Sequence, residues 1–199
     1  MPLSFLTSAS WHNEPSRWTF NTNSLSIVAE PKSDFWRETN SGAHPDSGHF
    51  FSVACKGDFS VVAEFTGNYE VLYDQVGLML RVDKNHWVKC GIEYFDRVTN
   101  FTTVVTQGVS DWSAVQCPYL SGPQSVRLVR KGNVIYTHFK DTNGRWRLMR
   151  LANFEAPQDV MVGPMACAPL RDLSELKGFR CSFSRFTITD APDDPLHAS

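Results

Sequence analysis

Apolar residues recur at every second position along much of this chain, in short runs separated by polar, glycine or proline clusters. In Gln75–Val82 the apolar positions are Val76, Leu78, Leu80 and Val82; in Trp87–Phe95 they are Val88, Cys90, Ile92 and Tyr94. A period of two puts each set on one face of a strand. The same rhythm predicts strands at Leu25–Ala29, His49–Cys55, Asp58–Gly67, Thr99–Thr106, Asp111–Cys117, Ser125–Arg130, Asn133–Lys140, Arg145–Leu151, Val160–Cys167 and Phe179–Thr189, with an edge strand and loop around Trp11 and Trp18. Turn signals stand between them at Lys56-Gly57, Asp96-Arg97, Lys131-Gly132 and Asp141–Gly144. A helical period is nowhere sustained; Leu170–Leu176 has room for one or two helical turns. About a dozen short strands at roughly 8–12-residue spacing predict an all-β chain. The expected architecture is a two-sheet antiparallel β-sandwich with jelly-roll connections. No linker divides it, so 1–190 reads as a single β-sandwich domain and 191–199 as a flexible C-terminal tail.

The hairpin Tyr73–Phe95 is the centre of this scheme. Its two apolar sets must both face the core. A three-residue turn, Lys84–Asn85–His86, achieves this by pairing Val82 with Val88 and Leu80 with Cys90. A one-residue slip would bury mixed faces. The opposite face then carries Gln75, Gly77, Met79 and Arg81 on one strand and Lys89, Gly91, Glu93 and Phe95 on the other. Asn100, Thr102 and Thr106 extend it if Asp96-Arg97 is a two-residue turn. Glycine within a strand marks a close backbone approach, so Gly77 and Gly91 predict a dip rimmed by aromatics and ionisable groups. Such a face is either a ligand groove or plain sheet exterior carrying a surface charge cluster. Ser33–Gly48 is a polar loop with aromatics at its start, long enough to be functional or partly disordered.

Composition narrows the function. Net charge is -2 with 20% charged residues, and no basic block provides a nucleic-acid footprint. No apolar run approaches the roughly 18 residues of a membrane span. MPLSFLTSASWHNEP lacks the basic start and apolar core of a secretory signal. The five cysteines, Cys55, Cys90, Cys117, Cys167 and Cys181, are widely spaced and expected to be reduced thiols of a cytoplasmic protein. The histidines lack metal-ligand spacing, Asp46-Ser47-Gly48 is too poor in oxygens for calcium, and Ser113 lacks elbow glycines. No metal or cofactor is expected.

Glycoside hydrolysis needs two carboxyls roughly 5–9.5 Å apart. The register places only Glu93 in the groove; Asp34, Glu38 and Asp111 lie on loops able to reach its rim, and Asp74 faces away by parity. Lys89 beside Arg81 could be a depressed-pKa base or imine-forming amine, or a cation paired with Glu93 or with an anionic ligand. Glu93 and Lys89 are thus the best catalytic candidates. The predicted ligand-binding set is Trp36, Tyr73, Gln75, Arg81, Trp87, Lys89, Glu93 and Trp112. The aromatics suit the apolar faces of sugar rings, and the polar groups suit hydroxyls.

FWRETN (Phe35–Asn40), YDQVGLMLRVD (Tyr73–Asp83), WVKCGIEY (Trp87–Tyr94), VVTQGVSDWS (Val104–Ser113) and VGPMACAP (Val162–Pro169) together resemble the "regulation of enolase"-type family, in order and over most of the chain. Arg97 replaces the glycine that many relatives carry in an Asp-Gly turn. The resemblance implies a concanavalin A-like lectin and glucanase fold and a cytosolic regulatory role in sugar metabolism. Similar domains are appended to some xylosidases, where they help shape a sugar-binding site.

Three readings follow. The first is a non-catalytic, lectin-like regulatory protein whose groove binds a carbohydrate or small polar metabolite. The second is an enzyme using the same groove, either a glycoside hydrolase or an isomerase or cyclase. The third is a scaffold for a protein partner. Nucleic acid and membrane partners are not expected.

Overall fold

The computed structural model describes residues 3–116, 122–172 and 178–197. Its strands are β1 (Ser10–His12), β2 (Trp18–Phe20), β3 (Leu25–Ala29), β4 (His49–Lys56), β5 (Phe59–Gly67), β6 (Gln75–Asp83), β7 (His86–Phe95), β8 (Val98–Gln107), β9 (Val109–Gln116), β10 (Gln124–Lys131), β11 (Val134–Lys140), β12 (Trp146–Asn153), β13 (Asp159–Cys167) and β14 (Phe179–Thr189). They form two seven-stranded sheets, ordered β1-β4-β13-β6-β7-β8-β9 and β12-β11-β10-β5-β14-β3-β2. All the pairings between these strands are antiparallel. The alternating pattern accounts for the inner strands, which bury an apolar set between the sheets; the edge strands do so less, and β9 buries only Ser110. Val76, Leu78, Leu80, Val88, Cys90 and Ile92 from the first sheet share one core with Val61, Phe65, Leu128, Phe183 and Phe186 from the second. Cys90, Cys167 and Cys181 are buried free thiols and Cys55 is half-buried; Cys117 lies outside the described residues, as does most of Leu170–Leu176. No helix among the described residues is long and apolar enough to cross a membrane.

The central hairpin keeps the expected faces but not the expected partners. Leu80 lies opposite Val88 and Leu78 opposite Cys90. The turn has two residues, Lys84 and Asn85, between paired Asp83 and His86. Val82 is an extra residue between the Arg81–Trp87 and Asp83–His86 pairs, a bulge. The Asp83 carboxylate fixes this turn by accepting the N–H groups of Asn85 (2.7 Å) and His86 (3.0 Å). A bulge plus a two-residue turn preserves the parity of a three-residue turn, so the faces are right while every partner from Gln75 to Arg81 is displaced by two residues. Gly77 and Gly91 are therefore directly opposite rather than diagonal. A Cβ on Gly77 would collide with the Cys90 carbonyl, and one on Gly91 with that of Val76. The close approach that demands glycine is that of the neighbouring strand. At the far end Asp96 and Arg97 form the expected two-residue turn, both with positive φ (54° and 64°), so arginine takes the backbone shape that favours glycine.

The C-terminal segment is described as far as His197. Pro195 is buried, and Lys131 donates to the Asp193 carbonyl at 2.6 Å.

Candidate functional site

The outer face of the first sheet, away from the core, is roofed at one end and open at the other. The roof is the Ser33–Gly48 loop. It folds as a hairpin of its own: Phe35 bridges Asp46, the Trp36 N–H donates to the Pro45 carbonyl (3.2 Å), and the Glu38 N–H donates to that of Ala43 (3.0 Å). Phe35 is fully buried and meets Trp87 with ring centroids 6.2 Å apart. Together with Phe50, Met79, Val104, Met165 and Cys167 they form a second, smaller core outside the sandwich. Arg37 is also buried. Its guanidinium donates to the carbonyls of Lys84 (2.8 Å) and His44 (2.6 Å), and its backbone exchanges hydrogen bonds with Ser110. Arg81 holds Asp46 with two parallel bonds of 2.8 and 2.9 Å.

Beyond the roof lies a cavity of about 620 Å³. Six of the eight predicted ligand-binding residues line it: Trp36, Tyr73, Gln75, Lys89, Glu93 and Trp112. Arg81 and Trp87 do not; the loop covers both, engaging one as an ion pair and the other as core. Asp34 and Asp111 reach the lining as rim carboxylates. Glu38 instead pairs with His44 (2.6 Å), and Asp74 faces the other way and is held by Arg171 (2.7 Å). Thr39, Ala43 and Pro45 of the loop also contribute to the wall. Sequence reasoning did not single these out, because their placement depends on how the loop closes.

The floor is a connected polar cluster. Lys89 is 4% exposed and donates to the Phe35 carbonyl (2.8 Å) and to Gln75 Oε1 (2.7 Å), with Asp34 Oδ1 at 3.5 Å. Its close carboxylate is therefore Asp34 rather than the expected Glu93. Burial pushes the Lys89 ammonium down, but the nearby Asp34 and Glu93 carboxylates more than offset this and hold it above its usual value. Of the two roles open to Lys89, a depressed-pKa amine and a paired cation, the arrangement fits the second. Glu93 is 8% exposed. Burial lifts its carboxyl to about 7; Lys89 opposes the rise, Asp34 adds to it, and hydrogen bonds from Trp112 and Thr102 oppose it. A floor carboxyl that titrates near neutrality, a fixed ammonium and a second carboxylate can bind polar groups or exchange a proton.

The walls are aromatic. Trp36 spends its indole N–H on the Thr39 carbonyl (2.8 Å), which fixes the ring. Trp112, 39% exposed, stands edge-on to Phe95 with centroids 5.0 Å apart. Tyr73 is held by a positive φ of 68°, with its N–H on the Tyr94 carbonyl (2.6 Å).

Comparison with known proteins gives a consistent picture. A family model described as "Protein of unknown function (DUF1349)" matches residues 11–191. "Regulation of enolase protein 1" from Saccharomyces cerevisiae is 34% identical over 192 residues, 96% of this chain and 94% of that protein. The crystal structure of a functionally unknown protein from Saccharomyces cerevisiae superposes with a TM-score of 0.88 and 34% identity, over 96% of this chain and all of the other. The carbohydrate binding module CBM66 from Bacillus subtilis superposes at a TM-score of 0.57 with 12% identity, over 90% of this chain and 95% of its own, a likeness of fold alone. The fold is the concanavalin A-like sandwich that the sequence motifs implied.

Proposed function

The chain belongs to the DUF1349 family, and from that footing we propose that it is a non-catalytic cytoplasmic binding protein that holds a carbohydrate or similar small polar metabolite in the cavity over Gln75, Lys89 and Glu93. One observation carries the reading: three aromatic side chains and a buried polar floor, contributed by the β6–β7 hairpin, β9 and the Ser33–Gly48 loop, converge on a single cavity. Sugars present apolar ring faces between hydroxyls, and that combination suits aromatic walls over fixed donors and acceptors. The module of similar fold is described as carbohydrate binding, and the curated relative carries a name that refers to enolase regulation. In a regulator, occupancy of the cavity would be read by a protein partner. Buried free thiols at Cys90, Cys167 and Cys181 suit a reducing compartment.

The test is calorimetry and thermal unfolding against a panel of neutral mono- and disaccharides. At 100 times Kd a true ligand should raise Tm by about 5 °C. Trp112→Ala should lose that shift while unfolding normally. A panel that leaves wild type unmoved counts against the reading. The titration of Glu93 near neutrality beside Asp34 favours a second reading, acid–base catalysis on the same ligand. Turnover that disappears in Glu93→Gln while binding persists would establish that alternative.

A further inference from the structure

Carboxylates outnumber cations in the cavity lining, although Asp34 and Asp111 each have a cationic neighbour, Lys89 and Arg150. Three carboxylates line it, those of Asp34, Glu93 and Asp111, against one described cation, Lys89. An ammonium has three N–H donors, and those of Lys89 already face Phe35 O, Gln75 Oε1 and Asp34 Oδ1. Each of its donors thus has a partner within the protein. Three guanidiniums nearby are engaged within the protein: Arg81 on Asp46, Arg37 on backbone carbonyls, and Arg150 on Asp111 at 2.6 Å. No cation among the described lining residues is therefore left free for an anion. The cavity offers a cation carboxylate oxygens and the faces of Trp36, Tyr73 and Trp112, the combination that recognises ammonium groups.

We propose that the cavity selects a small organic cation: an ammonium group carried on a body with an apolar face, as in an amino sugar or an alkylammonium compound, in preference to neutral or phosphorylated analogues. The inference rests on the reading that this cavity is a ligand site, and it names the ligand's charge. Glu93 gives it a second signature. The charged and titratable groups facing Glu93 are Lys89 on β7, Asp34 on the loop and the Cys167 thiol on β13, with Thr102 on β8 and Trp112 on β9 hydrogen-bonding to it. An incoming cation favours the ionised carboxylate. Binding near neutral pH should therefore expel a proton from Glu93.

The experiment titrates the whole chain at neutral pH with glucosamine, N-acetylglucosamine, glucose 6-phosphate and choline, in two buffers of different ionisation enthalpy. Glucosamine or choline should bind about ten-fold or more tightly than N-acetylglucosamine, with fractional proton release, and glucose 6-phosphate should bind weakest. Choline binding alone assigns the ammonium to an alkyl compound, and glucosamine binding to a sugar. Glu93→Gln should abolish proton release and level glucosamine with N-acetylglucosamine. Asp34→Asn should reduce the preference without removing the proton signal. If N-acetylglucosamine or glucose 6-phosphate matches glucosamine, the charge inference is overturned while the ligand site stands. If none of the four binds, both are overturned.

Discussion

The roofed and open ends of the outer sheet face are built from the same strands, β6 and β7, yet they differ in what their side chains do. Under the roof, Trp87, Met79 and Phe35 are core and Arg81 is a captive ion pair. At the open end, only two rows further along the strands, Gln75 and Glu93 face a cavity. The glycine pair lies between them, and in the row before it Met79 belongs to the roofed core while its partner Lys89 already lines the cavity. Sheet position does not decide whether a residue is structural or functional; the loop that lands on it does.

Substitutions can break that contrast, beginning with the largest effect. Trp87→Ala removes a fully buried ring from the roofed end and should cost about 3–5 kcal/mol in denaturant unfolding. The open end should reveal itself through pH instead. Glu93 is lifted from 4.5 to about 7 in the folded state, so the fold binds the extra proton. Its contribution is fully present below pH 4.5, falls as pH rises through about 7, and totals at most about 3 kcal/mol. Glu93→Gln should flatten that part of the profile, and an unchanged slope would refute the buried titration. Arg81→Met strands Asp46, which is 27% exposed in its side chain and can rehydrate, so a loss of about 2 kcal/mol is expected. A double-mutant cycle with Asp46→Asn should return a large part of it. Trp112→Ala should move stability by less than about 1 kcal/mol, because the ring is 39% exposed, while cutting ligand affinity about ten-fold or more. If Trp112→Ala instead destabilised as much as Trp87→Ala, the two ends would not be distinct.

Parity made the faces of β6 and β7 legible, since every second residue is apolar. It could not reveal the Val82 bulge, because a bulge with a two-residue turn and a three-residue turn give the same alternation. Gln75, Lys89 and Glu93 were legible as one polar face. The retreat of Arg81 and Trp87 from the cavity was not, because it depends on contacts such as Arg81–Asp46 and Phe35–Trp87 that span dozens of residues. Asp34 becomes the close carboxylate of Lys89 only once the loop hairpin closes.

That hairpin alternates as a strand does. Phe35 and Arg37 point down and are buried; Asp34 and Trp36 border the cavity. The segment is thus divided between anchoring and display, residue by residue. Randomising positions 36, 41 and 43 while retaining Asp34, Phe35, Arg37, Thr39 and the positive-φ residues Asn40 and Gly42 would re-address the cavity while keeping the contacts that hold its roof. Specificity in this scaffold can then drift on a few side chains, with no new backbone to invent.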